Sequence, residues 1–300
     1  MRIKTHHSTK KLVPPLHQTG ATLLELLVGI TIGLLTVAVG IGALMISRGV
    51  SGTVSDASNM QQQAAYAFRV IGSQVRQAGT IQLSLDATAF TPSETSYAML
   101  PVAFDPPDPA GQRPMFSRGE KMLKGIDNPS SSEYALSIGY QNYQEQITPP
   151  PPATDLVSGN QLRDCLGENK GVSSNYVIES RFRISSDNEL LCEGVSGTAK
   201  PIIRNVKDMK IRYLIQEPTS AKTGFPKTIY TNASTASSSP NGWRDVYAIE
   251  VCLELEGTET IDTAGANYTK CDGSSVSRGN RLRMVFKNTF QIRSQGQVQS

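Results

Sequence analysis

The residue that poses a chemical question first is Glu25. It is the single charge in the 26 residues from Ala21 to Ile46, a run of Leu, Ile, Val, Ala, Gly, Thr and Met. A helix crosses the apolar core of a bilayer in about 20 residues, so this run is long enough to span. A carboxylate at mid-bilayer costs on the order of 2.5–3.5 kcal/mol, and such groups are kept for a partner. The partner that the spacing offers is an amine. Glu25 lies four residues after Ala21, and Ala21 follows Gly20. Cleavage of the Gly20–Ala21 bond would create a positive amine one helical turn from Glu25, at the positive end of the helix dipole. The amine of a neighbouring copy would serve equally well. A signal anchor in which Gly20 and Glu25 fall together by chance is the plainer reading of the same residues.

The other groups that could do chemistry are few. His6, His7 and His17 all precede Gly20. Residues 21–300 therefore hold no histidine, which removes a Ser-His-Asp or Cys-His catalytic set and any His-ligated metal from that part. Neither a phosphate-binding glycine loop nor a dinucleotide fingerprint is present. No cofactor, metal or enzymatic activity is expected. Asp187-Asn-Glu189 reads as a turn rather than a calcium loop. The formal charge of +3 comes from Arg2, Lys4, Lys10 and Lys11; residues 21–300 carry 25 basic and 26 acidic side chains, a net −1. That balance makes no case for nucleic-acid binding.

Cys165, Cys192, Cys252 and Cys271 all fall beyond the apolar run. An even number of cysteines in an exported domain implies two disulfides, with three possible connectivities. Cys165–Cys192 and Cys252–Cys271 are favoured because each joins sequence neighbours. Each loop closure would contribute roughly 3–4 kcal/mol in the chain-entropy model. A four-thiolate zinc site is the alternative, but no two cysteines stand two residues apart to form a knuckle.

The elements that must position these groups divide the chain into three parts. Residues 1–20 form a basic leader outside the fold. Pro14-Pro15 prevents the helix from running backwards, and the four positive charges hold this end in the cytoplasm. Residues 21–78 form one helix with a membrane-spanning half and an amphipathic half. In the second half Val54, Ala57, Met60, Ala64, Phe68, Ile71, Val75 and Ala78 recur at spacings of three and four, with Gln61, Gln62, Arg69, Gln74 and Arg76 among the polar positions off the stripe. Gly79 is the expected stop. Residues 79–300 form an extracytoplasmic, β-rich head. Phe104-Asp-Pro-Pro-Asp-Pro and Pro149–Pro152 mark exposed spacers, and Ser234–Asn241 reads as loop. Strands are expected at Tyr134–Tyr140, Tyr176–Ile184, Glu189–Cys192, Met209–Ile215, Val246–Leu255 and Arg281–Ile292, with a tight turn at Asn188. The expected fold is α+β: a long N-terminal helix laid on one antiparallel sheet.

Gly20, Glu25 and the uninterrupted apolar run resemble the class III signal of type IV pilins and pseudopilins. In that family a prepilin peptidase cuts after the Gly, the new amine is methylated, and the Glu guides docking into the filament. Ala21 departs from the pattern, because the family usually carries Phe there. Further pieces are similar to the PilW family of minor pilins. They are Ala67-Phe-Arg-Val-Ile-Gly-Ser-Gln-Val-Arg-Gln-Ala-Gly79, Asp164-Cys-Leu-Gly167, Leu190-Leu-Cys192, Val206-Lys-Asp-Met-Lys-Ile-Arg-Tyr213, Trp243-Arg-Asp-Val246 and the closing strand. The resemblance implies a pilin-like fold and a non-enzymatic subunit that primes or caps a type IV pilus. The implied partners are a prepilin peptidase, other minor pilins, the major pilin and the inner-membrane assembly platform. It also implies an inner-membrane anchor with a cytoplasmic N-terminus and a periplasmic head, followed by a place at the pilus tip. A minor pseudopilin of a type II secretion system and a membrane-anchored binding protein or adhesin are the alternative readings.

Overall fold

The computed structural model describes residues 20, 22–80, 83–84, 100–101, 122–142, 144–147, 157–160, 162–169, 177–217, 227–240, 242–261 and 265–292. The leader up to Thr19, Ala21 and both proline-rich spacers lie outside the described residues. The chain forms two compact units, Met1–Ser51 and Gly52–Ser300.

Helix α1 (Leu23–Gln77) provides the apolar part of the first unit and the core helix of the second. Its end is where the sequence places it. Gly79 adopts φ +70°, the left-handed conformation that glycine reaches without penalty, and its N–H donates to Gly139 O at 2.9 Å. The buried face follows most of the expected stripe: Met60, Ala64, Ile71, Val75 and Ala78 are buried, and Ala57 and Phe68 are partly so. Val54 is 63% exposed, whereas Asp56, Met60, Ala64, Ala67, Ile71, Gln74, Val75 and Ala78 are buried. The face departs from the stripe at Val54, and it takes in Ala67 and two polar residues, Asp56 and Gln74, that apolar spacing does not count. Phe68 is partly buried against the core, its ring centroid 6.1 Å from that of Phe290.

The head holds two principal sheets where the sequence reading expects one. Short strands β1 (Leu83–Ser84) and β2 (Leu100–Pro101) pair in parallel. After β3 (Leu123–Gly125) and β4 (Leu136–Gln141), strands β5 (Gln144–Ile147) and β6 (Val157–Asn160) form a separate hairpin. Strands β7 (Val177–Ile184), β8 (Leu190–Glu193) and β9 (Ala199–Ile203) complete a five-stranded antiparallel sheet in the order β3-β4-β7-β8-β9. Strands β10 (Val206–Glu217), β11 (Lys227–Thr231), β12 (Val246–Thr260) and β15 (Arg281–Gln291) build a four-stranded antiparallel sheet, β11-β10-β12-β15. Between its last two strands, β13 (Asn267–Thr269) and β14 (Ser275–Ser277) form a hairpin.

Both sheets turn apolar faces to one core. Ile138, Tyr140, Ile178, Phe182 and Leu190 come from the first, and Met209, Tyr213, Ile249, Val251, Leu253 and Phe290 from the second. Alternation along each strand reports that one face is buried, but not which strands share hydrogen bonds. A single sheet and two sheets around one helix give the same pattern. Asn188 takes the positive φ expected of its turn, +59°, as Asn205 also does at +58°.

A short helix, α2 (Ala233–Ser237), overlaps the first half of the Ser234–Asn241 stretch expected as loop. Asn232 caps it by accepting Thr235 N–H at 3.0 Å, and the Asp127 carboxylate accepts Ala233 N–H at 2.9 Å and Ser234 N–H at 3.0 Å. The distant Asp127 supplies what composition could not announce.

Tyr140 and Tyr213 are the largest fully buried side chains. Burial pushes both phenols far above the ordinary tyrosine range; the Asp164 charge adds to this at Tyr140, where the Gln74 hydrogen bond opposes it, and the Asp127 charge adds at Tyr213. A raised folded-state pKa means that the protonated form favours the fold. This stability is fully present below about pH 10, the unfolded value, and declines as pH rises above it. Ultraviolet titration is therefore expected to show at least two tyrosine equivalents that ionise only with unfolding. Tyr140→Phe and Tyr213→Phe should each remove one; the same number of late equivalents in either variant would contradict the assignment.

Candidate processing and docking site

The N-terminal segment is described upward from its backbone. Gly20 is exposed and outside the helix. Thr22 O accepts Leu26 N–H at 3.1 Å, which opens the helical ladder, and Thr22 Oγ1 accepts Glu25 N–H at 3.2 Å. Glu25 occupies the first turn, where the helix dipole favours an anion. Beyond it, α1 is long and apolar enough to cross a membrane, and none of its apolar window is buried by the protein itself. Two hydroxyls inside that window are satisfied locally: Thr31 Oγ1 donates to Val28 O at 2.9 Å and Thr36 Oγ1 to Gly33 O at 2.8 Å. A hydroxyl bonded to its own helix needs no water, which suits a segment surrounded by lipid.

In the second unit the structure pairs Cys165 with Cys192 and Cys252 with Cys271, at Cα separations of 6.4 and 5.8 Å. The first bridge joins residues 162–169 to β8. Asp164, buried beside Cys165, organises that segment: Oδ1 accepts Leu166 and Glu168 N–H and Oδ2 accepts Val195 N–H, each at 2.8 Å. Gly194 leaves no room for a Cβ next to this carboxylate. The second bridge pins the turn between β13 and β14 to β12. Tyr268 of that hairpin donates to the buried Glu254 carboxylate. Arg283 completes the cluster, with Nη1 3.0 Å from Glu254 Oε1 and Nη2 2.6 Å from Glu256 Oε2. Among the described residues no group of three or more His, Cys, Asp or Glu side chains could hold a metal.

Two polar side chains of α1 within the second unit escaped the sequence reading. Gln74, placed among the polar positions off the apolar stripe, is buried. Its Oε1 accepts the Tyr140 hydroxyl at 2.7 Å and the Ser180 hydroxyl at 2.8 Å, while Nε2 approaches Arg163 O at 3.4 Å. Asp56 accepts Glu259 N–H at 2.8 Å and the Thr258 hydroxyl at 2.9 Å. Gly257 leaves no room for a Cβ beside the Asp56 carboxylate. Spacing was the available signal: Asp56 lies four before Met60, and Gln74 three after Ile71 and four before Ala78.

A model of the family described as Type IV Pilus-assembly protein W matches residues 175–294, which run from β7 through β15. Over those residues the chain is similar to the PilW family. The PilW-like segment includes all of the four-stranded sheet and three strands of the other. Among solved structures, a type IV-like pilin, TTHA1219 from Thermus thermophilus, aligns at 9% identity over 79% of this chain and 96% of that one, with a TM-score of 0.34. No curated protein matches the chain. The arrangement itself, a long N-terminal apolar helix with two principal antiparallel sheets, is α+β.

Loss of either bridge is expected to cost about 2–5 kcal/mol. Non-reducing peptide mapping should recover Cys165–Cys192 and Cys252–Cys271. Urea unfolding of Cys165→Ser/Cys192→Ser and Cys252→Ser/Cys271→Ser should show lowered midpoints. Crossed pairs in the map would contradict the strand layout.

Proposed function

We propose that this chain is a minor pilin that acts with other minor pilins to prime or cap assembly of type IV pili, in a structural rather than enzymatic role. The observation that carries the reading is the PilW family match over residues 175–294 on a chain whose N-terminal helix can span a membrane and holds Glu25 in its first turn. In this reading the protein begins in the inner membrane, with its basic N-terminus in the cytoplasm and its disulfide-bonded head in the periplasm. Prepilin peptidase cuts after Gly20, Ala21 becomes the methylated N-terminus, and the subunit leaves the membrane through the assembly platform for the pilus tip. The major pilin and other minor pilins are its neighbours there.

The role of Glu25 follows from its surroundings. Near the membrane interface the carboxylate reaches water at small cost. Among apolar helices of a filament it would need a cation or several donors to remain ionised, and an Ala21 amine is the cation available. An intermolecular contact of this kind would set the axial register between subunits.

Deletion of the gene in a retraction-deficient background is expected to reduce surface pili, and normal piliation would count against the assembly role. N-terminal sequencing of the processed protein should begin Ala-Thr-Leu-Leu-Glu; a mature chain that retains Met1 would sink the pilin reading. Gly20→Ala should still be cut, and a bulky residue there should block cutting. Glu25→Ala should leave insertion and cleavage intact while lowering recovery in sheared pili, measured by immunoblot. Wild-type recovery would remove the docking role unless immunogold places the subunit at the very tip, with no neighbour ahead of it.

A further inference from the structure

Between the β13–β14 hairpin and the outer face of the four-stranded sheet lies a cavity of about 530 Å³, a volume within the range of small-molecule sites. Its floor belongs to the sheet. Leu253 and Leu255 face the core, so Glu254 between them faces outward. The strand register sets Asp208 of β10 directly opposite Glu254, and the irregularity between Val206 and Asp208 brings Lys207 to the same cavity. The hairpin forms the other wall with Tyr268, Lys270 and Val276, and the Cys252–Cys271 bridge holds it to β12. All of this lies within the second unit.

The polar groups around the cavity do not satisfy one another completely. Glu256, beside the floor, pairs with Lys207 at 3.2 Å and with Arg283 at 2.6 Å. Glu254 is 1% exposed; its Oε1 accepts from Tyr268 and Arg283, and no donor among the described residues reaches its Oε2. A buried carboxylate oxygen without a donor is costly, and a second acid directly across the strands adds to that cost. Asp208 and Lys270 line the same space, and neither side chain forms an ion pair or hydrogen bond among the described residues. Acceptors that lack donors thus stand on the floor, and a donor that lacks an acceptor stands on the wall.

We propose that this cavity is a binding site for a neutral saccharide. A hydroxyl both donates and accepts, so neighbouring sugar hydroxyls donate to the two carboxylates of the floor and accept from the Lys270 ammonium. The surrounding charges decide the sign of the ligand. Lys207, Lys270 and Arg283 balance Asp208, Glu254 and Glu256, so neither a phosphate nor a polycation gains net attraction. Tyr268 and Val276 supply apolar surface for the C–H face of a sugar ring, and two such side chains are too few to cover an acyl chain. The site requires neither cleavage at Gly20 nor a place in a pilus.

The test uses the full chain in phosphatidylcholine nanodiscs, which present no sugar headgroup. Saturation-transfer NMR is recorded with glucose, galactose, N-acetylglucosamine and maltose, and with trilysine and inorganic phosphate as charged comparisons. At least one saccharide should give a saturable signal. Asp208→Ala and Lys270→Ala should each bind it about tenfold more weakly, as expected for loss of a hydrogen bond to a charged group. Both variants should keep the two disulfides and the wild-type urea midpoint, because neither side chain holds a partner. Ser277→Trp, at an exposed position on the lining, should block entry and serves as a second variant if either alanine protein fails to fold. Absence of saturable binding by all four saccharides would overturn the inference. So would wild-type affinity in these variants, or displacement of the saccharide by trilysine or phosphate, which would mark the cavity as a charge site.

Discussion

The packing of α1 in the second unit depends on one buried amide. Gln74 lies within an interface otherwise made by Ala67, Ile71, Val75 and Ala78 against the strands. A buried polar group left without partners costs about 1–3 kcal/mol, so the amide is tolerated only where its partners converge on it. They come from three places. The Tyr140 hydroxyl belongs to β4, the Ser180 hydroxyl to β7, and the Arg163 carbonyl to the segment next to the first disulfide. A slide or rotation of the helix by one residue would break all three at once. Apolar packing alone would leave neighbouring registers closer in energy, since ridges of alanine and isoleucine fit more than one groove.

The same network explains why the Asp164-Cys-Leu-Gly167 segment folds where it does. Ser180, while donating to Gln74, accepts the Cys165 N–H at 3.0 Å. The Asp164 carboxylate gathers three N–H groups around it. The Cys165–Cys192 bridge then closes a geometry that hydrogen bonds already favour, a different arrangement from a staple across unstructured chain. Toward the other end of the buried face, Asp56 holds Thr258 and Glu259 where the register of β12 against β15 shifts between Glu256 and Thr260. A bulge presents free N–H groups and bends its strand, and a helix carboxylate is a suitable acceptor for one of them. Gln74 and Asp56 thus fix the buried face of the helix at two separate points.

The charged cluster on β12 and β15 has another basis. Glu254 and Glu256 sit two apart on β12 and therefore on one face, and Arg283 on β15 bridges them. The β13–β14 hairpin is pinned to the same strand by Cys252–Cys271 and adds the Tyr268 hydroxyl. Breaking one member would strand a nearly fully buried carboxylate, so the cluster acts as structure first. It illustrates why a head with many charged side chains need not carry an active site.

The sequence by itself determined the features that depend on near neighbours along the chain. A run of apolar residues long enough to span, its one acid in the first turn, the stop at Gly79, the turn at Asn188 and the main strands are all short-range facts. They follow from periodicity, backbone preference and charge. Only the tertiary structure decided the rest. The division of the strands into two sheets rests on hydrogen bonds between residues far apart in sequence, and alternation is blind to which edge meets which. The α2 helix depends on Asp127, more than a hundred residues upstream. Gln74 falls off the apolar stripe and Asp56 is not counted in it, because glutamine and aspartate usually face solvent. Burial reverses that preference only where distant donors and acceptors already stand in place, and three-dimensional packing alone can bring them there.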